Sequence, residues 1–141
     1  MATRSRIGIQ LDDGRIRSTY HHWDGYPKWL GVQLEQLYTN RESINELLDG
    51  GDISCVSTLE GWRDREGNKT RFESPKVLYY NDRGERTTAT MSVNIYDYLK
   101  LTEDCTGEYA YLFVDNRWIC YNIDTKEIEP IPEAQTANVS N

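Results

Sequence analysis

The segment from 108 to 121 constrains the fold more than any other part of the chain. Residues 108–114 and 117–121 are two extended runs rich in aromatic and β-branched residues, and Asp115-Asn116 between them is typical of a tight turn. Both runs carry apolar or aromatic side chains on both of their faces. Strands of this kind are usually buried on both sides, so this hairpin is predicted to lie centrally in a sheet.

A second hairpin is predicted near the N-terminus. Apolar residues alternate with polar ones from residue 7 to 11, and Asp13-Gly14 is a strong signal for a two-residue turn. With that loop, the predicted cross-strand pairs are Leu11–Ile16, Ile9–Ser18 and Ile7–Tyr20. This register puts Ile7, Ile9, Leu11, Ile16, Ser18, Tyr20 and His22 on a buried face. It puts Arg6, Gln10, Arg15, Arg17, Thr19 and His21 on the outer face.

Three helices are predicted between the two hairpins. Apolar residues recur at helical spacing from Trp29 to Tyr38. Thr39 and Glu42 fit the cap and third positions of a capping box that begins a second helix, which ends before residues 50–51. Ser92 is predicted to cap the third helix.

These elements predict a single α+β domain with an antiparallel sheet built from the N- and C-terminal hairpins and helices packed on one face. A chain of 141 residues has the length of one domain and can bury a core without disulfides or metals. We assign the domain to residues 1–124. Residues 125–141 contain two prolines and few apolar residues, so they are predicted to form a flexible C-terminal tail.

The charge balance argues against several classes of partner. The chain has 23 acidic and 16 basic residues, a net charge of −7, whereas proteins that bind polymeric nucleic acid or anionic membranes need a basic face. No apolar run reaches the roughly 18–20 residues of a membrane span, and no apolar segment of a signal peptide follows the charged N-terminus. The three cysteines are odd in number and widely spaced, as in reduced proteins. We therefore expect a cytoplasmic location.

The most unusual run is residues 21–27, HHWDGYP, at a predicted junction between a strand and a helix. Such junctions often carry binding sites. The candidate ligand-binding residues here are His22, Trp23, Asp24 and Tyr26. No metal is expected, because strand alternation sends the two histidines to opposite faces and no spaced His/Cys cluster adds further ligands. The alternative is a structural corner, in which Asp24 and Gly25 suit a sharp turn. In that alternative His22 and Asp24 bond to each other or to the turn backbone, and Trp23 and Tyr26 pack against the core.

Basic and aromatic side chains extend the candidate site. One basic group lies on the first hairpin and a second lies in a charged central loop between residues 63 and 71. From these groups we take Arg17, Arg63, Arg65 and Arg71 as further candidates for binding an anion. The alternative is that they only balance the acidic residues. The aromatic residues that core packing does not account for are Trp23, Tyr26, Trp62 and Tyr79 or Tyr80.

Catalytic motifs are scarce. The chain contains neither a Walker A run nor a G-x-G-x-x-G motif, and its two histidines both lie in the 21–27 run. Cys120 is predicted to face the core as an inert thiol. We therefore expect a non-enzymatic protein without a cofactor. A small hydrolase or nuclease that uses His22 and Asp24 remains an alternative.

Two segments resemble small proteins encoded by tailed bacteriophages, cyanophages among them. They are residues 7–27, which include IGIQ, DG, IRS and HWDGYP, and residues 107–113, GEYAYLF. The resemblance covers about the first third of the chain closely and brings no known mechanism with it. It implies a phage accessory protein in the infected bacterial cytoplasm, where such proteins bind host factors or sequester the nucleotide signals of host immunity.

The resulting prediction is a counter-defence binding protein. Its partner would be a small anionic or nucleotide-like ligand, held between aromatic rings with arginines on the phosphates. Such a pocket would form at a homo-oligomer interface, because a small domain gains depth by pairing with its own copy. The alternative partner is a host protein, which makes the chain an inhibitor of a host enzyme.

Overall fold

A mixed sheet of eight strands dominates the computed structural model, which describes residues 2–57, 62–63, 69–70 and 76–133. In chain order the strands are β1 (Ser5–Gln10), β2 (Ile16–His21), β3 (Ile53–Ser57), β4 (Trp62–Arg63), β5 (Lys69–Thr70), β6 (Lys76–Tyr79), β7 (Thr90–Ser92), β8 (Tyr109–Val114), β9 (Arg117–Asn122) and β10 (Glu127–Glu129). The sheet order is β10-β9-β8-β1-β2-β3-β6, with β7 paired to β2. β4 and β5 pair only with each other.

The helices lie between the strands, close to where they are predicted. They are a π-helical turn (Pro27–Gly31) that continues into α1 (Val32–Leu37), α2 (Arg41–Asp49), a 3-10 turn (Tyr80–Arg83) and α3 (Ile95–Asp104). The caps of α2 and α3 are Asn40 and Asn94, one and two residues after the predicted Thr39 and Ser92. Among the described helices, none has both the length and the apolar character that crossing a bilayer requires.

Helices cover both faces of the sheet, so the prediction of helices on one face is wrong. Tyr111 of β8 packs in a cluster with Leu34 of α1 and Ile44 of α2. Its neighbour Leu112 belongs to a second cluster with Tyr98 of α3. Successive side chains of a strand point to opposite faces, so the two apolar faces of the central hairpin each require a cover.

The α+β single-domain class is confirmed, but the sheet is mixed where an antiparallel one is predicted. Both predicted hairpins are present, β1 with β2 and β8 with β9. They join through β1 and β8, which run parallel with Ile9 opposite Phe113. β2 and β3 also pair in parallel, at His21 and Ile53. Local turn signals specify each hairpin, whereas parallel pairing depends on a long crossover that no local pattern encodes.

The register of the first hairpin differs from the prediction by one residue. The backbone N–H of Leu11 donates to the carbonyl of Arg15 at 2.7 Å, which leaves a three-residue loop with Gly14 at φ +89°. The observed pairs include Gln10–Ile16, Ile9–Arg17 and Ile7–Thr19. A shift of one residue exchanges the faces of β2 relative to β1. Arg17, Thr19 and His21 therefore share the face of Ile7 and Ile9, and Ser18, Tyr20 and His22 share the face of Arg6 and α3.

Part of the segment 125–141, predicted to be a flexible tail, is structured. β10 pairs antiparallel with β9, with Ile128 opposite Tyr121. Ile131, two residues beyond β10, packs against the core cluster that contains Tyr111. These two isoleucines are diluted in a polar composition, which explains why the average over the segment does not reveal them. Residues 134–141 lie outside the described residues.

Candidate ligand-binding surface

The end of β2 continues to pair with β3 beyond the regular ladder. The backbone N–H of His22 donates to the carbonyl of Ile53 at 3.0 Å, and that of Trp23 donates to the carbonyl of Ser54 at 2.9 Å. These bonds attach the backbone of His22 and Trp23 to β3 just beyond the end of β2. His22 is half-buried, and the Trp23 side chain remains 45% exposed.

The next residues form the sharp corner that the structural alternative predicts. Asp24 has φ +56°, in the left-handed region that aspartate tolerates better than most residues. The backbone N–H of Gly25 donates to the carbonyl of Thr3 at 2.9 Å, and the hydroxyl of Tyr111 donates to the carbonyl of Gly25 at 2.6 Å. Tyr26 follows as an exposed side chain at the start of the π-helical turn. The corner therefore has a structural role and also presents exposed aromatic side chains.

Three aromatic rings surround His22 and form a cluster of four with it. Its ring centroid lies 4.7 Å from that of Trp23, 5.8 Å from that of Tyr20 and 6.4 Å from that of Tyr80. The Trp23 and Tyr80 contacts are edge-to-face, which is a favourable geometry for aromatic pairs. The hydroxyl of Tyr20 and Nδ1 of His22 are 2.6 Å apart and share a hydrogen bond. The rings thus form one continuous cluster.

Two arginines flank this cluster. The guanidinium carbon of Arg83 lies 5.5 Å from the centroid of the Tyr80 ring, within the range of a cation–π contact. Nη1 of Arg4 donates to Oγ1 of Thr106 at 2.8 Å. The ion pairs formed by the described residues include neither arginine. We call Arg4, Tyr20, His22, Trp23, Tyr80 and Arg83 the aromatic–arginine surface.

The shifts in pKa at His22 and Tyr20 favour the uncharged form of both rings. Burial lowers the pKa of His22, and the positive charge of Arg4 lowers it further. Burial raises the pKa of Tyr20 against the opposing effect of Arg4. The charge of the surface therefore comes from its arginines. The carboxylate of Asp24 acts on Cys55, whose pKa is raised to about 11 by burial first and by Asp24 second.

Asp52 sets the spacing of the two tyrosines. Its Oδ1 accepts a hydrogen bond from the backbone N–H of Tyr20 at 3.0 Å, and its carbonyl accepts one from the backbone N–H of Tyr80 at 3.1 Å. Its own N–H donates to Oγ1 of Thr87 at 2.9 Å. One residue at the start of β3 thereby ties β2 to the 3-10 turn after β6.

The structure brings together only some of the candidates from the sequence. His22 and Trp23 lie in the aromatic–arginine surface, and Asp24 and Tyr26 follow in the adjoining corner. Arg17 points to the opposite face of the sheet, where it donates to Oδ1 of Asn45 at 2.9 Å and forms an ion pair with Asp49. Arg63 lies in β4, but its side chain, together with Arg65 and Arg71, lies outside the described residues.

The adjacent His21 lies on the other face, in the core beside α1 and α2. It is fully buried, and its Nδ1 is 3.3 Å from Oγ of Ser5. Its Nε2 has no hydrogen-bond partner among the described residues. Burial, with a smaller effect of His22, lowers its pKa to about 3, so it is neutral at physiological pH. A search of the described residues finds no group of three or more potential metal ligands.

Sequence reasoning missed four members of the surface as site residues. Tyr20 had a usable signal, because residues two apart on a strand share a face and Tyr20 precedes His22 by two. Tyr80 is among the aromatic residues left unexplained by core packing. Arg83 comes from a distant part of the chain. Arg4 immediately precedes β1, and the observed register, which pairs Ser5 with His21, brings it close to His22.

The chemistry of the surface suits a planar, anionic ligand. Exposed aromatic faces stack on a base or a similar ring, and guanidinium groups bind phosphate or carboxylate oxygens. Among the described residues, no hydrogen bond joins His22 to Asp24, and Nδ1 of His22 is engaged by Tyr20. Comparison with protein-family models, with curated proteins and with solved structures finds no match to this chain.

Proposed function

We propose that this chain is a non-enzymatic binding protein whose aromatic–arginine surface holds a nucleotide-derived ligand. The observation that carries this proposal is the cluster of four rings, with the exposed indole of Trp23 at its edge and two arginines beside it that lack a carboxylate partner among the described residues. Base stacking on an aromatic side chain contributes about 1–3 kcal/mol per base. The arginines supply the attraction for phosphate oxygens.

The biological role in this proposal is counter-defence. A tailed-phage protein in the bacterial cytoplasm would sequester a nucleotide signal of host immunity, and sequestration requires binding but no catalytic group. The resemblance of residues 7–27 and 107–113 to phage proteins supports this role. A homo-oligomer belongs to the proposal, because a second copy would cover the exposed indole and deepen the site. Light scattering of the purified chain measures its mass in solution and so decides whether it is a monomer or a homo-oligomer.

Thermal-shift screening tests the ligand class. The candidates are cyclic nucleotides and cyclic ADP-ribose isomers, each in large excess. A ligand at one hundred times its dissociation constant should stabilise the folded state by about 2.7 kcal/mol. For a ligand that does so, Trp23→Ala should weaken binding by about fivefold to 150-fold, which corresponds to the loss of one stacking contact.

Tyr96→Ala is the matched control. Tyr96 is 79% exposed on α3 and lies outside the aromatic–arginine surface, so its replacement should leave the affinity unchanged. The absence of any stabilisation across the screen would refute the proposed ligand class. Equal losses in the Trp23 and Tyr96 variants would place the ligand elsewhere. The remaining part of the predicted site is Arg63, whose side chain is not described, with Arg65 and Arg71, which lie outside the described residues. The triple variant Arg63→Gln, Arg65→Gln, Arg71→Gln tests whether these arginines contribute to binding.

An exposed apolar patch favours a second candidate function, inhibition of a host enzyme through protein binding. Val93 is 68% exposed and lines a groove of about 290 Å³ between β7 and α3, and Tyr96, three residues further along the chain, is 79% exposed. Large exposed apolar side chains that form a patch often mark a protein interface. A stoichiometric bacterial partner that is captured by wild type and by Trp23→Ala, but lost with Val93→Glu, would support this candidate over nucleotide binding.

A further inference from the structure

A buried arginine lies next to the aromatic–arginine surface. Arg6 of β1 is only 5% exposed and pairs with Tyr20 of β2 in the sheet register. Side chains of paired residues share a face of the sheet, so the guanidinium of Arg6 lies on the face of Tyr20, His22 and α3. Its Nε donates to Oγ of Ser18 at 3.0 Å and its Nη2 donates to the carbonyl of Ser18 at 3.2 Å.

No carboxylate compensates this charge among the described residues. The four ion pairs there involve other cations, and the hydrogen bonds of Arg6 go only to the neutral Ser18. Buried charges are normally paired, because an uncompensated charge away from water is strongly destabilising. Nη1 has no hydrogen-bond partner in the described part of the chain, and it is not among the fully buried unpartnered atoms there.

A second cation increases the positive potential at the same place. Arg4 lies immediately before β1, two residues before Arg6, and its charge acts on both Tyr20 and His22. The C-terminal end of α3 offers partial compensation, since Arg4 donates to Thr106 just beyond it. A helix end is equivalent to only about half an elementary charge, which cannot neutralise two guanidinium groups.

We propose that Arg4 and Arg6 form an anion-binding subsite for the phosphate of a nucleotide whose base stacks at Trp23. This inference rests on the proposed function, because the two parts of one ligand would occupy the same surface. Ser18 holds Nε and Nη2 of Arg6, so Nη1, which has no partner among the described residues, is pre-oriented to donate to a phosphate oxygen. The ring centroids of Tyr20 and His22 are 5.8 Å apart and those of His22 and Trp23 are 4.7 Å apart. A ligand that contacts both the arginines and Trp23 therefore has to extend beyond a single base, as a nucleotide does.

The experiment compares four probes by titration calorimetry: adenosine, AMP, ADP and inorganic pyrophosphate. The proteins are wild type, Arg6→Lys, Arg6→Met and the control Arg15→Met, which removes an exposed arginine that is paired with Asp13. Wild type should bind ADP at least tenfold more tightly than adenosine. Both Arg6 variants should lose that preference and keep the affinity for adenosine, because a lysine cannot maintain the Ser18 contacts while it reaches the phosphate. Arg15→Met should behave as wild type.

A structural role for Arg6 predicts a different pattern. Circular dichroism and thermal midpoints verify that each variant is folded. If Arg6→Met does not fold, the comparison is made with Arg6→Lys. Equal affinities for ADP and adenosine in wild type would overturn the subsite while leaving nucleotide binding intact, as would an unchanged ADP preference in Arg6→Lys. Pyrophosphate binding that requires Arg6, without binding of any nucleotide or nucleoside, would support the subsite and refute the proposed function. Failure of all four probes to bind wild type would overturn the subsite, whereas the thermal-shift screen of cyclic nucleotides and cyclic ADP-ribose isomers decides the proposed function separately.

Discussion

Acidification from pH 7 to pH 5 should destabilise this protein through His21. The side chain is fully buried beside the core of α1 and α2, and one of its ring nitrogens has no partner among the described residues. Its pKa in the folded state is lowered to about 3 by burial first and by His22 second, from an ordinary value of 6.5. The charged form of His21 is therefore disfavoured in the folded state but not in the unfolded state.

The sign of the effect follows from the two pKa values. Between pH 6.5 and about 3 the unfolded chain binds a proton at this histidine and the folded chain does not, so the free energy of unfolding falls as the pH falls. The stabilisation is fully present above 6.5 and is lost progressively towards 3. Each pH unit between the two pKa values changes the free energy of unfolding by about 1.4 kcal/mol. At pH 5, about 1.5 units below 6.5, the free energy of unfolding is therefore about 2 kcal/mol lower than at neutral pH.

Urea unfolding at pH 7 and pH 5 measures this loss. His21→Leu removes the titrating group, so its loss between the two pH values should be about 2 kcal/mol smaller than that of wild type. His22→Gln is the control, because His22 is partly exposed and its replacement should leave most of the pH dependence in place. The reasoning is refuted if His21→Leu and wild type lose the same stability. A His21 NMR resonance that titrates near pH 6.5 in the folded protein would refute it equally.

Two further predictions concern local contacts. Tyr111→Phe should lower the free energy of unfolding by about 1–3 kcal/mol, because the carbonyl of Gly25 loses its donor; an unchanged urea midpoint would mean that this bond does not hold the corner. Asn40→Ala should cost about 1 kcal/mol through loss of the α2 cap, whereas Thr39→Ala should cost less than about 0.5 kcal/mol. The reverse order in thermal unfolding would restore Thr39 as the cap.

Local patterns predicted the elements better than their arrangement. In the last hairpin, Asp115 and Asn116 adopt φ +53° and +63°, as a tight turn between twisted strands requires, and the strands on either side lie where the alternation of residues places them. Turn chemistry and side-chain alternation act over a few residues, so one sequence is enough to recognise them. The parallel contact between β1 and β8 joins residues about one hundred positions apart, and nothing local encodes it.

The presence of helices on both faces of the sheet was partly predictable from the sequence. Both faces of the segment 108–121 are apolar, and a strand with two apolar faces needs packing on each. The prediction of helices on one face did not use that requirement fully. α3 supplies the second cover, since Tyr98 and Leu99 pack with Ala110 and Leu112. The same packing leaves Tyr20 and His22 on a face that α3 covers only in part.

One residue in the first turn decides which arginine accompanies the aromatic side chains. Tyr20 and His22 share a face in either register, because alternation along β2 alone determines that relation. The faces of β1 relative to β2 depend on the loop length, and the three-residue loop with Gly14 exchanges them. Arg17 thereby goes to the face of α2, where Asp49 neutralises it, and Arg6 comes to the face of Tyr20 without a carboxylate among the described residues. A two-residue loop would have placed Arg6 and Arg17 together, on the face opposite to Tyr20 and His22, so the proposed phosphate subsite depends on the one extra loop residue that the turn signal did not predict.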